Sequence, residues 1–456
     1  MTAITVYRQF LAALSANLIG FSFGWMSAWA NANYDDLKSN STTKTQLQDG
    51  PITLNQASLV MSLICAGGLV GNIVYLFVLN KFGRKNPILF LAVPAIFSWL
   101  FIIFAENVYW LYASRILCGF VGGALFISVP VFVSEICQDE VRGTVNALGF
   151  VVNAVGSLVG FIVAIFFDFR VQAVCALIVP FLFVFVFYFV PDSPMSLYNK
   201  NKIELADLAL EFYKGANNNN MSPESEKIMV EEKKCEKNDD SGISIKDFVT
   251  TRAARRAVSI AILLVLLPQI SGCYILLSYT TSYFIEAESR LSPIESSILV
   301  CIVQLVANLF TMFLVDKIGR KILFTLSSMG TGLGLFVLAM HNMYKHLSSN
   351  FVPIYGLSLT IFIASIGLIP IPFVITVDVL PPKIRNITMT MTSITMWCVG
   401  FFMNFAYISM LQVIELHGCL LVFSAGCFIC AMYGLIFIPE TKGKSPDCIV
   451  KLLEKS

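Results

Sequence analysis

Charge is scarce in this sequence: Asp, Glu, Lys and Arg make up 13% of 456 residues, against 57% that are hydrophobic. A soluble globular chain carries about twice that charge, so water is excluded as the solvent for most of this protein. Histidine is scarcer still, and the three present, His341, His346 and His417, have no metal-ligand spacing. No phosphate-cradling glycine loop and no nucleophile with a base beside it stands in the chain. The sequence therefore gives no ground for an enzyme, a cofactor or a metal. A net charge of +2 lacks the basic excess that nucleic acid would require. The twelve cysteines fall mostly inside apolar runs rather than in paired loops, which argues against a disulfide framework. Cys427 and Cys430 form a C-x-x-C within the last run, where packing is the favoured reading.

What the chain has instead is apolar length. A helix needs about 20 mainly apolar residues to cross a bilayer, and twelve such stretches recur, from 10–30 and 56–79 through 387–411 and 418–438. Runs such as FIVAIFF are apolar on every face, which excludes the alternating strands of a membrane barrel. The reading is an all-α membrane protein of twelve transmembrane helices in two six-helix bundles. The first run, after Arg8, is read as a retained helix rather than a signal peptide. Counting loops from a cytoplasmic N-terminus puts most of the 31 Lys and Arg on the cytoplasmic side, so both termini are expected inside. Asn40, in Asn-Ser-Thr, then falls in an extracellular loop and is expected to carry a glycan, whereas Asn220 and Asn386 are expected bare.

One long polar stretch interrupts the pattern between Pro191 and about Arg256. The expected organisation is a bundle over 1–190, a cytoplasmic linker with short helices over 191–256, a second bundle over 257–440 and a tail over 441–456. Three signatures occur in each half in the same order, which points to an internal repeat. Asn80-Lys-Phe-Gly-Arg-Lys85 is echoed by Asp316-Lys-Ile-Gly-Arg-Lys321. Glu135 precedes Arg142 by seven residues, as Asp378 precedes Arg385. Pro191-Asp-Ser-Pro194 is echoed by Pro439-Glu-Thr-Lys-Gly443. Acids and arginines repeated near one membrane surface suggest ion pairs that form in one conformation and separate in another.

At these residues, and in VPVFVSEICQDEVRG (129–143), PDSPMSL and PETKGKS, the chain resembles the sugar porter family of the major facilitator superfamily. SFGWMSAW in the first run is similar to insect facilitated trehalose and glucose transporters. The resemblance implies two bundles rocking about a central cavity, with a cytoplasmic latch of Arg84, Glu135, Arg142, Asp192, Arg320, Asp378, Arg385 and Glu440. Asn80 stands where the family usually has Asp.

A sugar presents hydroxyls and apolar ring faces, so its site needs amides or hydroxyls beside an aromatic platform. The family pattern carries those roles to Gln269 in PQISG, Tyr279, Gln304, Phe373 and Trp397. Other family contacts are replaced, by Phe150, Pro268, Tyr274 and Ser365. Pro370 and Pro372 break the tenth run and free carbonyls to line a cavity. Isolated Asn72, Asn146, Asn153, Asn308 and Asn404 read as interhelical hydrogen bonds, and Gly67, Gly68, Gly71, Gly119, Gly122 and Gly123 as close helix contacts.

The expected function is facilitative transport of a hexose or trehalose-like disaccharide at the plasma membrane, with the solute and the bilayer as partners. Alternatives are a carrier of another small polar solute, a proton-coupled symporter and a non-transporting sensor. Passive transport is favoured because no acidic residue lies between Phe10 and Ala30, and an intramembrane acid is the usual proton carrier.

Overall fold

A computed structural model describes residues 3–39, 47–200, 202–214, 252–344, 351–380 and 382–440. Asn40, Asn220 and the tail over 441–456 lie outside the described residues, as do the side chains of Asn80, Arg142, Asp378, Arg385 and Asn386.

Every regular element among the described residues is a helix. The first six spans are Ala3–Ala32, Leu54–Phe82, Lys85–Phe90 continuing as Ala92–Ile103, Val108–Ile136, Asp139–Phe166 and Phe169–Tyr188. Two short helices, Pro194–Asn199 and Ile203–Lys214, follow. The seventh span is broken into Arg252–Ile270, Cys273–Ser278 and Thr280–Glu286. Pro293–Ile318 and Arg320–Met343 are the eighth and ninth spans, and Val352–Ile366 with Ile371–Val379 form the tenth.

Spans eleven and twelve meet where the sequence expectation separated them, between 411 and 418. Two helices within Pro382–Phe437 are joined by a kink at Glu415, which alone leaves helical geometry, at φ 55° and ψ 179°. The surrounding LQVIELHG contains no proline, so the helical hydrogen bonds persist to either side of one left-handed residue. By length and apolarity ten described helices qualify as spans. The difference from twelve is accounted for by this fusion and by the broken seventh span.

Span starts are fixed by local chemistry. Thr53 and Gln56 form a reciprocal capping box, and Ser292 with Glu295 repeats it ahead of Pro293. Spans two and eight both stop at a glycine with positive φ, Gly83 at 84° and Gly319 at 102°, which a side chain would disfavour. Both described ends of the chain lie on one side of the helix layer, called here the terminal face; the opposite side is the distal face.

Packing within the first bundle depends on missing side chains. A methyl group placed on Gly67, Gly71, Gly119 or Gly123 would stand 1.9–2.2 Å from a carbonyl oxygen of the facing helix. Spans two and four therefore touch backbone to backbone, which gives dispersion contact and dense packing where lipid offers no hydrophobic driving force. The halves join along spans two and eleven and along spans five and eight. At the latter joint Ala28, Ala32, Phe161 and Cys301 form a small apolar cluster. Large apolar side chains such as Phe185, Phe189, Met432 and Ile436 point outward and are exposed, an arrangement suited to lipid and not to water.

Candidate functional site

The seventh span bends where its sequence forbids a regular helix. Pro268 offers no N–H, Ser271 Oγ donates to the Pro268 carbonyl at 2.6 Å, and Gly272 takes a left-handed φ of 74°. The ring of Phe423 lies against Gly272, where a methyl group would fall 2.2 Å from it. Gln269, just before the bend, is buried, and its side chain makes no hydrogen bond among the described residues.

Across the joint, Trp397 of span eleven lays its ring against Gly68 of span two, occupying the volume that a side chain at 68 would need. Its indole Nε1 is buried and has no partner among the described residues. Gly400, one turn on, faces Cys65 and Gln269: a methyl group at 400 would stand 3.6 Å from Gln269 Oε1. The structure therefore brings Gln269 and Trp397 to the same face of span eleven. It places Gln304 and Phe373 half-buried on spans eight and ten. Tyr274, standing where the family has an amide, reaches the break in span ten with a hydrogen bond to the Ile369 carbonyl at 3.5 Å. On the first bundle, Phe150 lies 6.4 Å from Phe126, which meets Phe23 edge to face at 5.9 Å. That wall is aromatic where an amide was the family pattern.

Tyr279 has a different place from the one its motif suggests. It is buried, donates to the Asn404 carbonyl at 3.1 Å, and sits between Tyr34 at 5.6 Å and Tyr407 at 4.9 Å. Beside it Thr281 Oγ1 donates to Asn31 at 2.8 Å, the Thr281 amide donates to the same side chain at 3.2 Å, and Asn31 Nδ2 donates to the Leu277 carbonyl at 3.0 Å. These contacts tie span one to span seven and close the distal face. Asn31 and Thr281 were not singled out in the sequence, because 250 residues separate them. Lys38 lies 4.2 Å over the Tyr34 ring and 3.1 Å from Asp35. Burial pushes the Asp35 carboxyl above its ordinary value, and Lys38 opposes that shift.

Hydrogen bonds between the halves, among the described residues, extend from this closure through Ser58 to Phe405 and end at Asn72 with Ser393. Arg115 pairs locally: it is buried and donates to the carbonyls of Met26 at 2.8 Å and Val60 at 3.2 Å.

On the terminal face, Arg84 Nε donates to Glu135 Oε1 at 2.7 Å, and Ser193 Oγ donates to the other carboxylate oxygen. All three belong to the first half. Asp192 accepts from the backbone N–H groups of Lys85 at 3.0 Å and Ser193 at 2.8 Å. In the second half Glu440 accepts from the Arg320 N–H at 3.2 Å. Each half thus uses the acid that follows its last span to cap the helix after its basic turn, where a negative charge is stabilised by the helix dipole. The expected partnership of Glu135 with Arg142 and of Asp378 with Arg385 involves side chains outside the described residues. Cys427 and Cys430 are fully buried, and Cys427 Sγ lies 3.7 Å from the Ser271 carbonyl.

Two six-helix bundles with broken seventh and tenth spans at their joint define a membrane protein of the major facilitator fold. Among solved structures, the proton:xylose symporter XylE bound to 6-bromo-6-deoxy-D-glucose matches 99% of this chain and 100% of its own, with a TM-score of 0.78 at 18% identity. The inward open conformation of XylE from E. coli matches with the same score over 97% of this chain. The model of the family described as "Sugar (and other) transporter" matches residues 9–451, so the chain belongs to that family. It is 29% identical over 451 residues to the facilitated trehalose transporter Tret1 of Drosophila mojavensis, covering 98% of this chain and 51% of that protein. It is equally similar over 447 residues to Tret1 of Polypedilum vanderplanki, covering 87% of that protein. The chain spans about half the length of the Drosophila relatives it matches.

Proposed function

We propose that this protein is a facilitative carrier for a sugar, a hexose or a trehalose-like disaccharide, working by alternating access. The observation that carries the reading is the meeting of Gln269 and Trp397 at the joint between the halves, both buried and both with hydrogen-bonding capacity unused. An amide beside an indole is the chemistry a polyol with an apolar ring face requires. The relatives named as trehalose transporters and the xylose-carrying structural neighbour support it. The moving bodies are the bundles over 1–190 and 257–440, with the terminal face cytoplasmic and the host bilayer the plasma membrane. Transport is passive: Arg115 is held by carbonyls and not by a carboxylate, so span one offers no proton-binding partner for it. A less polar solute is the second reading, favoured by the Phe23, Phe126 and Phe150 wall.

Uptake of radiolabelled solutes into proteoliposomes tests these ideas together. Saturable hexose or trehalose entry that stops at equal concentration on both sides supports the proposal. Entry of only apolar glycosides moves the assignment to the second reading, and uphill accumulation on an imposed proton gradient removes the passive one.

A further inference from the structure

We infer that Asn404, one turn beyond Gly400 on span eleven, is a solute-binding and specificity-determining residue; the inference rests on the carrier reading above. Positions 397, 400 and 404 fall on one face of the helix at spacings of three and four. Asn404 is 5% exposed. Its Nδ2 donates to the Gly400 carbonyl at 2.8 Å and lies 3.9 Å from Cys65 Sγ. Because a carbonyl can only accept, that bond sets the orientation of the amide and leaves Oδ1 as the free end. Oδ1 is buried and has no partner among the described residues.

The neighbourhood of this oxygen decides what it is for. Trp397 Nε1, on the same helix face, is a buried donor without a partner. Gly400 lies between the two, and the absence of a side chain there brings the Gln269 amide up to this face. One acceptor, one donor and one amide with both functions therefore converge where span eleven faces spans two and seven. A packing role for Asn404 would be complete with its bond to the Gly400 carbonyl and would leave no use for Oδ1. A polyol with one hydroxyl that donates to Asn404 Oδ1 and another that accepts from Trp397 Nε1 satisfies both. The backbone of the same residue accepts from the Tyr279 hydroxyl. Asn404 thus sits directly beneath the distal closure, where it senses whether the solute is in place when span seven swings in.

The test is a cycle between one substitution and one missing hydroxyl. Full-length protein in proteoliposomes, wild type and Asn404→Leu, is assayed for zero-trans uptake of the transported sugar and its monodeoxy analogues. Leucine keeps the branched heavy-atom shape of asparagine, is bulkier, and lacks the acceptor. The expected result is a rise in KM of about fivefold, the worth of one neutral hydrogen bond, with little change in maximal rate. One deoxy analogue loses the same factor on the wild type and nothing further on the variant. Asn404→Ser, smaller and less demanding of the fold, is expected to show coupling at the same hydroxyl. Gly400→Ala, whose methyl would press on Cys65 and Gln269, is expected to raise KM for every analogue.

A fall in maximal rate alone, or equal losses for all analogues in both Asn404 variants, overturns the assignment while leaving the carrier reading intact. Failure of the wild type to take up any sugar overturns the sugar reading and this assignment with it.

Discussion

Asn31 and Thr281 clasp each other with both backbone and side-chain groups: the threonine hydroxyl donates to the asparagine carbonyl at 2.7 Å and to its amide oxygen at 2.8 Å. These residues belong to different halves, so a carrier that opens on the distal face must break every one of these bonds. They set part of the free-energy gap between the two conformations.

Replacing Thr281 by Val keeps its shape and removes the hydroxyl. Losing a hydrogen-bonded pair at about 1 kcal/mol shifts the equilibrium toward the distal-open state by about fivefold. Spin-label distances across the distal ends of spans one and seven should report a larger long-distance population in Thr281→Val than in the wild type. An unchanged distribution would remove this pair from the gate.

Gln269→Ala tests the site itself. The amide has no protein partner to lose among the described residues, so stability and surface expression should stay near wild type. Affinity for the transported solute should fall about fivefold, as expected for one bond. Concentration-dependent uptake measures it, and an unaltered KM would show that the amide faces no solute.

Glycine at 119 is expected to be essential for the fold of the first bundle. A methyl group there would stand 1.9 Å from the Ile64 carbonyl, and neither backbone has a soft end that can yield. Gly119→Ala should cost more than about 2 kcal/mol and sharply lower the yield of monodisperse protein in detergent chromatography. Gly143, with nothing within 4 Å of the same position, is the control: Gly143→Ala should elute as wild type does.

Orientation is tested by sugar chemistry on the protein. Expressed in a eukaryotic membrane, the chain should carry a glycosidase-sensitive glycan that disappears in Asn40→Gln and persists when Asn220 is replaced by Gln. A glycan at Asn220 would invert the topology.

The twelve spans were readable because crossing a bilayer imposes a minimum apolar length that few other structures need. The turn between spans eleven and twelve was legible to within a few residues: the gap left between 411 and 418 contains Glu415, where helical geometry breaks. The basic turns and the acids at 192 and 440 were legible as repeats, yet their roles were not. Sequence spacing paired Glu135 with Arg142, whose side chain lies outside the described residues; among those described, Arg84 and Ser193 reach Glu135, Arg84 through the stacking of span two against span four. In the same way, the spacing of a lone asparagine in an apolar helix gives no sign that its second amide atom remains unused, which is why Asn404 first read as an ordinary interhelical contact. Tyr279 carried a motif and a plausible aromatic platform, but only the positions of Tyr34 and Tyr407 reveal that it faces the closure.

The acid caps at the terminal face bear on how the molecule could be divided. Asp192 returns from beyond the sixth span to hold the start of the third, and Glu440 returns from beyond the twelfth to hold the start of the ninth. Each half is thereby buckled onto itself by its own trailing segment. Strain applied to one half is confined by its buckle, so bending is left to the junction. Two polypeptides cut between the buckles and made side by side in one cell would each carry its own buckle, and reassembly of a working carrier from such fragments would then depend on the spans that meet at the joint.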